Sequence, residues 1–108
     1  DQFGNPTSAL AVARELREVL KRPELVGTYH MTCEGEASWH EFALEIFERM
    51  GINQKVLPCA TEEFPRPAPR PANSRLEKMM LRLSGLPPMP DWKDALGEFL
   101  AKEFKNRK

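Results

Sequence analysis

The alternation of apolar and charged positions predicts a first helix close to the start of the chain. Thr7 or Ser8, after Pro6, forms a helix-start signal, and Pro23 ends the pattern. Charged residues fill the face opposite the apolar one, so one face of this helix is expected to pack on a core. The apolar positions are Leu10, Ala13, Leu16, Val19 and Leu20.

Three further helices follow from similar patterns. Ser38 precedes Glu41 by three residues, which is the spacing of a capping box, and Gly51 is a suitable residue to end that helix. A short helix is predicted over residues 76–83. Asp91 lies where it can cap a last helix, whose apolar stripe follows directly.

Two short segments have the composition of β-strands. Residues 27–32 are rich in β-forming residues and alternate, and residues 55–58 form a second such run. Residues 61–75 are predicted as a stiff extended loop, neither helix nor paired strand, because prolines recur at alternating positions. The predicted fold class is α+β and mainly helical, with four helices and two or three short strands. The prolines are Pro65, Pro67, Pro69 and Pro71.

Composition narrows the class of protein. The chain has 108 residues, of which 41% are hydrophobic and 30% charged, so it is expected to form one globular domain. Sixteen basic residues balance sixteen acidic ones, which argues against a general nucleic-acid or membrane-surface binder. No apolar run approaches the ~20 residues of a membrane span. Asp1 stands where an initiator Met is expected, which indicates that the chain follows a processed segment or belongs to a larger protein.

The tryptophans and cysteines are predicted to be structural. Trp39 and Trp92 lie on helix stripes and are predicted to be core residues rather than ligand-stacking groups. Cys33 and Cys59 are far apart and lack the spacing of a zinc site. We expect inert, half-buried thiols of a cytosolic protein, with a single disulfide as the less favoured alternative.

No complete catalytic set is present in the sequence. The six glycines form neither a dinucleotide fingerprint nor a phosphate-binding loop. Tyr29 is followed four residues later by Cys33 instead of Lys, and His30 and His40 lack a helical metal-ligand spacing. The chain alone is therefore not expected to be catalytic, and no metal site is predicted in it.

The best functional candidate is the basic region between residues 64 and 82. It holds five basic residues and one acidic residue, a local charge of +4 in a chain whose total charge is zero. The forked guanidinium of Arg70 suits phosphate oxygens, and stiff flanking prolines would hold it in place. Asn73 and Ser74 add neutral donors at what is predicted as a helix start. The alternative is a solvated connector whose arginines cover apolar surface.

Five short motifs in one order carry a family resemblance, and the match runs across nearly the whole chain. Together they resemble the C-terminal part of the dTDP-4-dehydrorhamnose reductase family, within the extended short-chain dehydrogenase/reductase superfamily. The Arg-Pro-Ala-Asn-Ser-x-Leu segment is the most telling. The motifs are Asp1–Thr7, Gly27–His30, Ser38–Ala43, Arg70–Leu76 and Pro90–Leu96.

The resemblance implies a two-part enzyme. Members of the family have an N-terminal Rossmann domain that binds NADPH and carries a Tyr-x-x-x-Lys pair, while the C-terminal part closes the sugar-nucleotide site. The intact enzyme reduces dTDP-4-dehydro-L-rhamnose to dTDP-L-rhamnose for cell-surface polysaccharide. Residues 1–108 are then a single substrate-binding domain, a fragment of a larger cytoplasmic reductase that is inactive alone. Nucleic acid and membrane are not expected partners, and bound Mg²⁺ in the intact enzyme and the oligomeric state stay open.

The resemblance also directs attention to particular residues as substrate contacts. Arg70 is predicted to contact the diphosphate, with Asn73 and Ser74 donating hydrogen bonds or shaping the loop. Gln2 and Thr7 are further candidates, although their loop could simply connect two halves of the enzyme.

Two other functions stay open at this point. One is a non-catalytic regulatory module, because the family is also similar to the regulatory subunit of methionine adenosyltransferase, which uses this fold to bind a partner enzyme. The other is a free-standing peptide- or nucleic-acid-binding module built on the basic loop. The latter predicts binding by the isolated chain, whereas a fragment of a reductase predicts weak binding without the Rossmann half.

Overall fold

A computed structural model describes residues 1–63 and 67–104, except for the side chain of Phe104. Within these residues there are four α-helices, a two-stranded sheet and a 3-10 turn, which confirms the mainly helical α+β class. The elements in chain order are β1 Phe3–Gly4, α1 Ala9–Leu20, β2 Ala37–Ser38, α2 Trp39–Met50, the 3-10 turn Thr61–Glu63, α3 Met79–Ser84 and α4 Trp92–Phe104.

The ends of α1 and α2 follow local capping chemistry. Ser8 is the N-cap of α1, and its Oγ accepts a hydrogen bond from Ala11 N at 3.0 Å. Ser38 and Glu41 form the predicted capping box, because each side chain accepts a hydrogen bond at 3.1 Å from the backbone N–H of the other. Gly51 ends α2 in the left-handed region, with φ 68°. These helix boundaries are confirmed.

The two C-terminal helices match the predictions less evenly. Asp91 Oδ2 accepts a hydrogen bond from Lys93 N at 3.0 Å, so the predicted cap of α4 is confirmed. Helix α3 begins at Met79, three residues later than predicted, and no side chain caps it. The helix start predicted at Ser74 is therefore wrong, because residues 72–76 form long-range hydrogen bonds instead.

The sheet lies where no strand was predicted. Strands β1 and β2 are antiparallel, with Phe3 opposite Ser38 and Gly4 opposite Ala37. Phe3 also forms a parallel bridge with Asn73, so the proline-rich loop does pair at one residue. The predicted strands over 27–32 and 55–58 are wrong. Some side chains of these segments are half-buried, as the alternating pattern suggests, but neither segment pairs with another strand.

The core forms where the four helices and the intervening loops meet. Its buried residues are Ala11, Cys33, Ala37, Leu81, Leu86, Met89, Trp92, Ala95 and Leu96. The core placement of Trp92 is confirmed, whereas Trp39 is 71% exposed, so the core prediction for it is wrong. The half-buried state predicted for both cysteines is also wrong: Cys33 is fully buried and Cys59 exposed, and both are free thiols. Burial raises the pKa of the Cys33 thiol.

Two charged side chains are buried with the core. Lys78 Nζ donates to Thr32 Oγ1 at 3.0 Å and to Leu76 O at 3.2 Å, so its ammonium is well solvated by protein oxygens. Glu15, on α1, is 4% exposed, and its Oε2 has no hydrogen-bond partner among the described residues. Desolvation raises the pKa of this carboxyl, and the charge of Glu18 adds to the shift.

Helix α4, the longest of the described helices, has 13 residues. None of the helices formed by residues 1–63 and 67–104 has the length and apolarity needed to cross a bilayer.

Candidate functional site

Residues 72–76, here called the strap, are fastened to the start of the chain. Phe3 N donates to Ala72 O at 2.8 Å, and Ser74 N donates to Phe3 O at 2.8 Å. Leu76 N donates to Asn5 Oδ1 at 2.7 Å. The strap therefore runs beside β1 and joins parts of the chain that are about seventy residues apart.

A cavity of about 480 Å³, here called the strap cavity, lies between the strap, the first loop and the N-terminus of α2. Its volume is within the range of small-molecule sites. The lining residues are Gln2–Thr7, Ala37–Trp39, Phe42, Arg70, Pro71 and Ser74.

The strap cavity brings together four of the five predicted substrate contacts. Gln2, Thr7, Arg70 and Ser74 line it, although they come from two segments that are far apart in the sequence. Asn73 is not among the lining residues. Its Oδ1 accepts hydrogen bonds from Arg75 N at 3.0 Å and from Arg75 Nε at 2.7 Å, so this amide shapes the strap.

Several of the polar side chains in the lining already have protein partners. Thr7 Oγ1 donates to Asn5 O at 2.7 Å and accepts from Cys33 N at 3.1 Å. Gln2 Nε2 donates to Thr61 Oγ1 at 3.2 Å. Ser74 Oγ lies 3.3 Å from Phe3 O, to which it donates. These contacts hold the walls of the cavity in place.

Arg70 differs from these residues because it forms no hydrogen bond or ion pair with any residue that the structure describes. Its side chain is exposed at the edge of the strap cavity. An unpaired guanidinium beside a cavity of this size is suited to an anionic ligand, because its planar donors match the oxygens of phosphate groups.

The other cations of the basic region are largely neutralised by acids elsewhere in the fold. Arg75 pairs with Glu36, and Arg82 pairs with Glu77 at 2.5 Å. Lys78 lies 3.9 Å from Glu34. Arg66 lies outside the described residues. Most of the local charge of +4 counted from the sequence is therefore balanced by nearby acids. Among the described basic residues of this region, Arg70 is the one without an acidic partner.

Trp39 supplies an apolar wall that the sequence analysis did not assign to the site. It is the first residue of α2, immediately after the N-cap, and 71% of its surface is exposed. Its ring meets Phe42 edge-on at 6.2 Å between centroids, and Phe42 meets the buried Trp92 in the same way at 6.0 Å. These contacts hold one edge of the indole and leave much of its surface accessible. The sequence offered a signal for this exposure: Trp39 follows the predicted N-cap directly, and the first residue of a helix lies at the end of its apolar stripe, where burial is less complete.

Neither a metal-binding cluster nor a dinucleotide fingerprint is found in the part of the chain that the structure describes. Within residues 1–63 and 67–104, no group of three or more His, Cys, Asp or Glu side chains is arranged to hold a metal ion. The six glycines also form no dinucleotide fingerprint.

Residues 1–104 match the RmlD substrate binding domain family, which is 104 of 108 residues in the chain. The chain belongs to this family. The resemblance drawn from the five motifs is thereby confirmed.

Relatives of this substrate binding domain are similar in sequence. A dTDP-4-dehydrorhamnose reductase from Shigella flexneri is 35% identical over 96% of the chain and 38% of its own length. The spore coat polysaccharide biosynthesis protein SpsK of Bacillus subtilis is 36% identical over 93% of the chain and 34% of its own length. The chain therefore spans little more than a third of the curated relatives it matches.

Solved structures agree with the RmlD substrate binding domain fold. A dTDP-4-dehydrorhamnose reductase from Clostridium acetobutylicum superposes with a TM-score of 0.90 at 46% identity, covering 94% of the chain and 36% of that structure. A dTDP-4-dehydrorhamnose reductase from Bacillus anthracis, in complex with NADP, also gives a TM-score of 0.90, at 38% identity and the same coverage. The arrangement of helices and strands described above is therefore shared with these two solved structures over the matched region.

Proposed function

We propose that this chain is the substrate-binding domain of a dTDP-4-dehydrorhamnose reductase and that the strap cavity holds part of the sugar nucleotide. Relatives named for this activity, with up to 46% identity among the solved structures, support the assignment. The unpaired Arg70 at the edge of the strap cavity is the single observation that carries the site. The ligand class is a nucleoside diphosphate sugar, whose diphosphate is the anion that Arg70 would meet.

The proposed division of labour leaves redox chemistry to the rest of the enzyme. When bound there, NADPH would supply a hydride to C4 of dTDP-4-dehydro-L-rhamnose and a tyrosine of the same part would donate a proton to the carbonyl oxygen, giving NADP⁺ and dTDP-L-rhamnose. This chain would contribute Arg70 for the diphosphate and the Trp39 ring as an apolar wall. Binding energy from these remote parts of the ligand can orient the ketone for the reaction.

The chain by itself is then a binding unit without activity of its own. Residues 1–108 would act as one domain of a larger NADPH-dependent reductase, with the cofactor bound outside this chain. We assign the enzyme to the cytoplasm, where thiols such as Cys33 and Cys59 stay reduced. The regulatory alternative gains no support from the Shigella and Bacillus relatives, which carry enzyme or biosynthesis names.

The test is Arg70→Ala in the full-length protein, assayed for reduction of dTDP-4-dehydro-L-rhamnose. A charge-assisted hydrogen bond contributes about 1.5–3 kcal/mol, so the KM for the sugar nucleotide should rise about ten- to a hundredfold. The KM for NADPH should not change. Arg70→Lys should restore only part of the affinity, because an ammonium lacks the planar fork.

Arg82→Ala is the matched control. Arg82 is an arginine of the same basic region, but it is exposed and paired with Glu77. Its removal should leave the KM for the sugar nucleotide within about twofold, as expected for a surface ion pair. An unchanged KM and kcat in Arg70→Ala would refute the assigned role, and an equal loss in both variants would point to a general charge effect instead.

A further inference from the structure

The position of Arg70 depends on the strap. Arg70 lies between Pro69 and Pro71, and each proline fixes its own φ and restricts the residue before it. Only Pro71 separates Arg70 from Ala72, whose carbonyl accepts the 2.8 Å hydrogen bond from Phe3 N. With so little backbone freedom in between, the main chain of Arg70, from which the guanidinium extends, is placed mainly by where the strap is held.

Arg75, itself part of the strap, contacts one other strap residue and two segments outside the strap. Its Nε and backbone N–H both donate to Asn73 Oδ1, at 2.7 and 3.0 Å. Its guanidinium pairs with the Glu36 carboxylate, one residue before β2. The guanidinium carbon also lies 5.6 Å from the centroid of the Phe3 ring, in β1. One side chain thus connects the strap to β1 and to the residue that precedes β2.

The contacts of Arg75 are exposed, so their main effect is not on the free energy of unfolding. The side chains of Arg75 and Glu36 are 38% and 54% exposed, and exposed ion pairs contribute little to folding free energy. Their geometry is nevertheless specific, because a planar guanidinium is held by an amide, a carboxylate and a ring face together. Such an arrangement fixes orientation more than it adds stability.

We infer that Arg75 is a positioning residue for sugar-nucleotide binding, acting through Arg70 by holding the strap against β1. The inference rests on the proposed function of Arg70. It assigns to Arg75 no contact with the ligand. Loss of Arg75 should therefore matter only while Arg70 is present to be positioned.

The test is a double-mutant cycle in the full-length protein, with Arg70→Ala, Arg75→Ala and the double variant. Coupled neighbours change binding by several-fold, so Arg75→Ala alone should raise the KM for the sugar nucleotide about three- to tenfold. The kcat and the KM for NADPH should stay unchanged. In the Arg70→Ala background, Arg75→Ala should add nothing to the KM.

Two further variants keep the inference testable if Arg75→Ala folds poorly. Glu36→Gln removes the anionic partner but keeps an acceptor, and should show a smaller effect of the same pattern. Arg75→Lys keeps the charge and loses the planar contacts, so it should restore KM only in part. Arg82→Ala again serves as the control, with the melting temperature measured for every variant.

The outcomes separate this inference from the proposed function. If Arg70→Ala leaves the KM unchanged, the proposed function fails. If Arg70→Ala raises the KM but Arg75→Ala has no effect, or multiplies the effect in the double variant, the positioning role is overturned. A multiplied effect would mean that Arg75 binds the ligand itself or acts on the fold as a whole.

Discussion

Phe42 lines two cavities of different character. On one side, a cavity of about 640 Å³ lies between apolar faces of α1, α2 and α4, lined by residues such as Ile46 and Leu96. On the other side is the smaller strap cavity, lined by loops, β1 and the strap. The larger cavity has a charged rim too, but its Glu98 is paired with Arg14 at 2.7 Å. The smaller cavity has the unpaired Arg70. We therefore propose the binding site on its chemical character rather than on its size.

One substitution in each cavity gives the sharpest test of whether the two cavities differ in function. Trp39→Ala removes an apolar wall of the strap cavity, and loss of an aromatic platform costs about 1–3 kcal/mol of binding per stacked ring. We expect the KM for the sugar nucleotide to rise about tenfold. Ile46→Ala removes packing in the larger cavity, and should lower the free energy of unfolding by about 2 kcal/mol with no change in KM.

Steady-state kinetics and denaturant unfolding of both full-length variants give the answer. Trp39→Phe keeps a ring at the first position of α2 and should recover most of the affinity. A KM increase in Ile46→Ala as large as in Trp39→Ala would show that the two cavities are not functionally distinct.

The contact between β1 and the strap can be tested at Gly4. A Cβ built on Gly4 lies 2.7 Å from Ser74 Oγ, which is closer than such contacts occur. Gly4→Ala should therefore displace the strap, destabilise the fold by about 1 kcal/mol and raise the KM about threefold. Adding Ser74→Ala removes the clashing oxygen, so the double variant should recover. Failure of the second change to rescue the first would contradict the proposed cause.

The smallest expected effect concerns stability alone, at Glu15. Because burial raises the pKa of Glu15 in the folded state, the unfolded chain ionises first as the pH rises past about 4.5, the ordinary carboxyl value. The free energy of unfolding therefore falls as the pH rises from about 4.5 through the raised pKa of the folded state, and it stays lower at higher pH. Glu15→Gln cannot ionise, so it should raise the free energy of unfolding at pH 7 by about 1 kcal/mol, with no gain at pH 3.

Glu48→Gln is the control for this effect. Glu48 is an exposed residue of α2, and its neutralisation should change stability by less than about 0.5 kcal/mol at either pH. Denaturant unfolding at the two pH values distinguishes the variants, and both should keep the wild-type KM. Equal stability changes in the two variants would show that net charge, rather than burial, is responsible.

Helices and strap differ in how far the sequence could predict them. The capping box of Ser38 and Glu41 is a local signal, so both the start of α2 and its hydrogen bonds followed from residues three apart. The strap depends on Asn5 and Phe3, about seventy residues away, which no local pattern reveals. For the same reason the strand predictions failed over 27–32 and 55–58, since alternation cannot identify a partner.

The candidate site shows the same division. Arg70 could be chosen as a candidate anion contact from the sequence, because a guanidinium between two prolines is visible there. That Gln2 and Ser74 would share a cavity with it required the fold. The pairing of Arg75 with Glu36 and the exposure of Trp39 also required it, since both depend on which surfaces meet.

The prolines on either side of Arg70 have a consequence for ligand recognition. Proline carries no amide hydrogen, so this stretch has few main-chain donors to offer an anion, unlike a glycine-rich phosphate loop. Under the proposed function, recognition of the diphosphate at this point then rests on the side chain of Arg70 rather than on the backbone. A single substitution at position 70 should then change the preference for charged ligands while the scaffold around it stays the same.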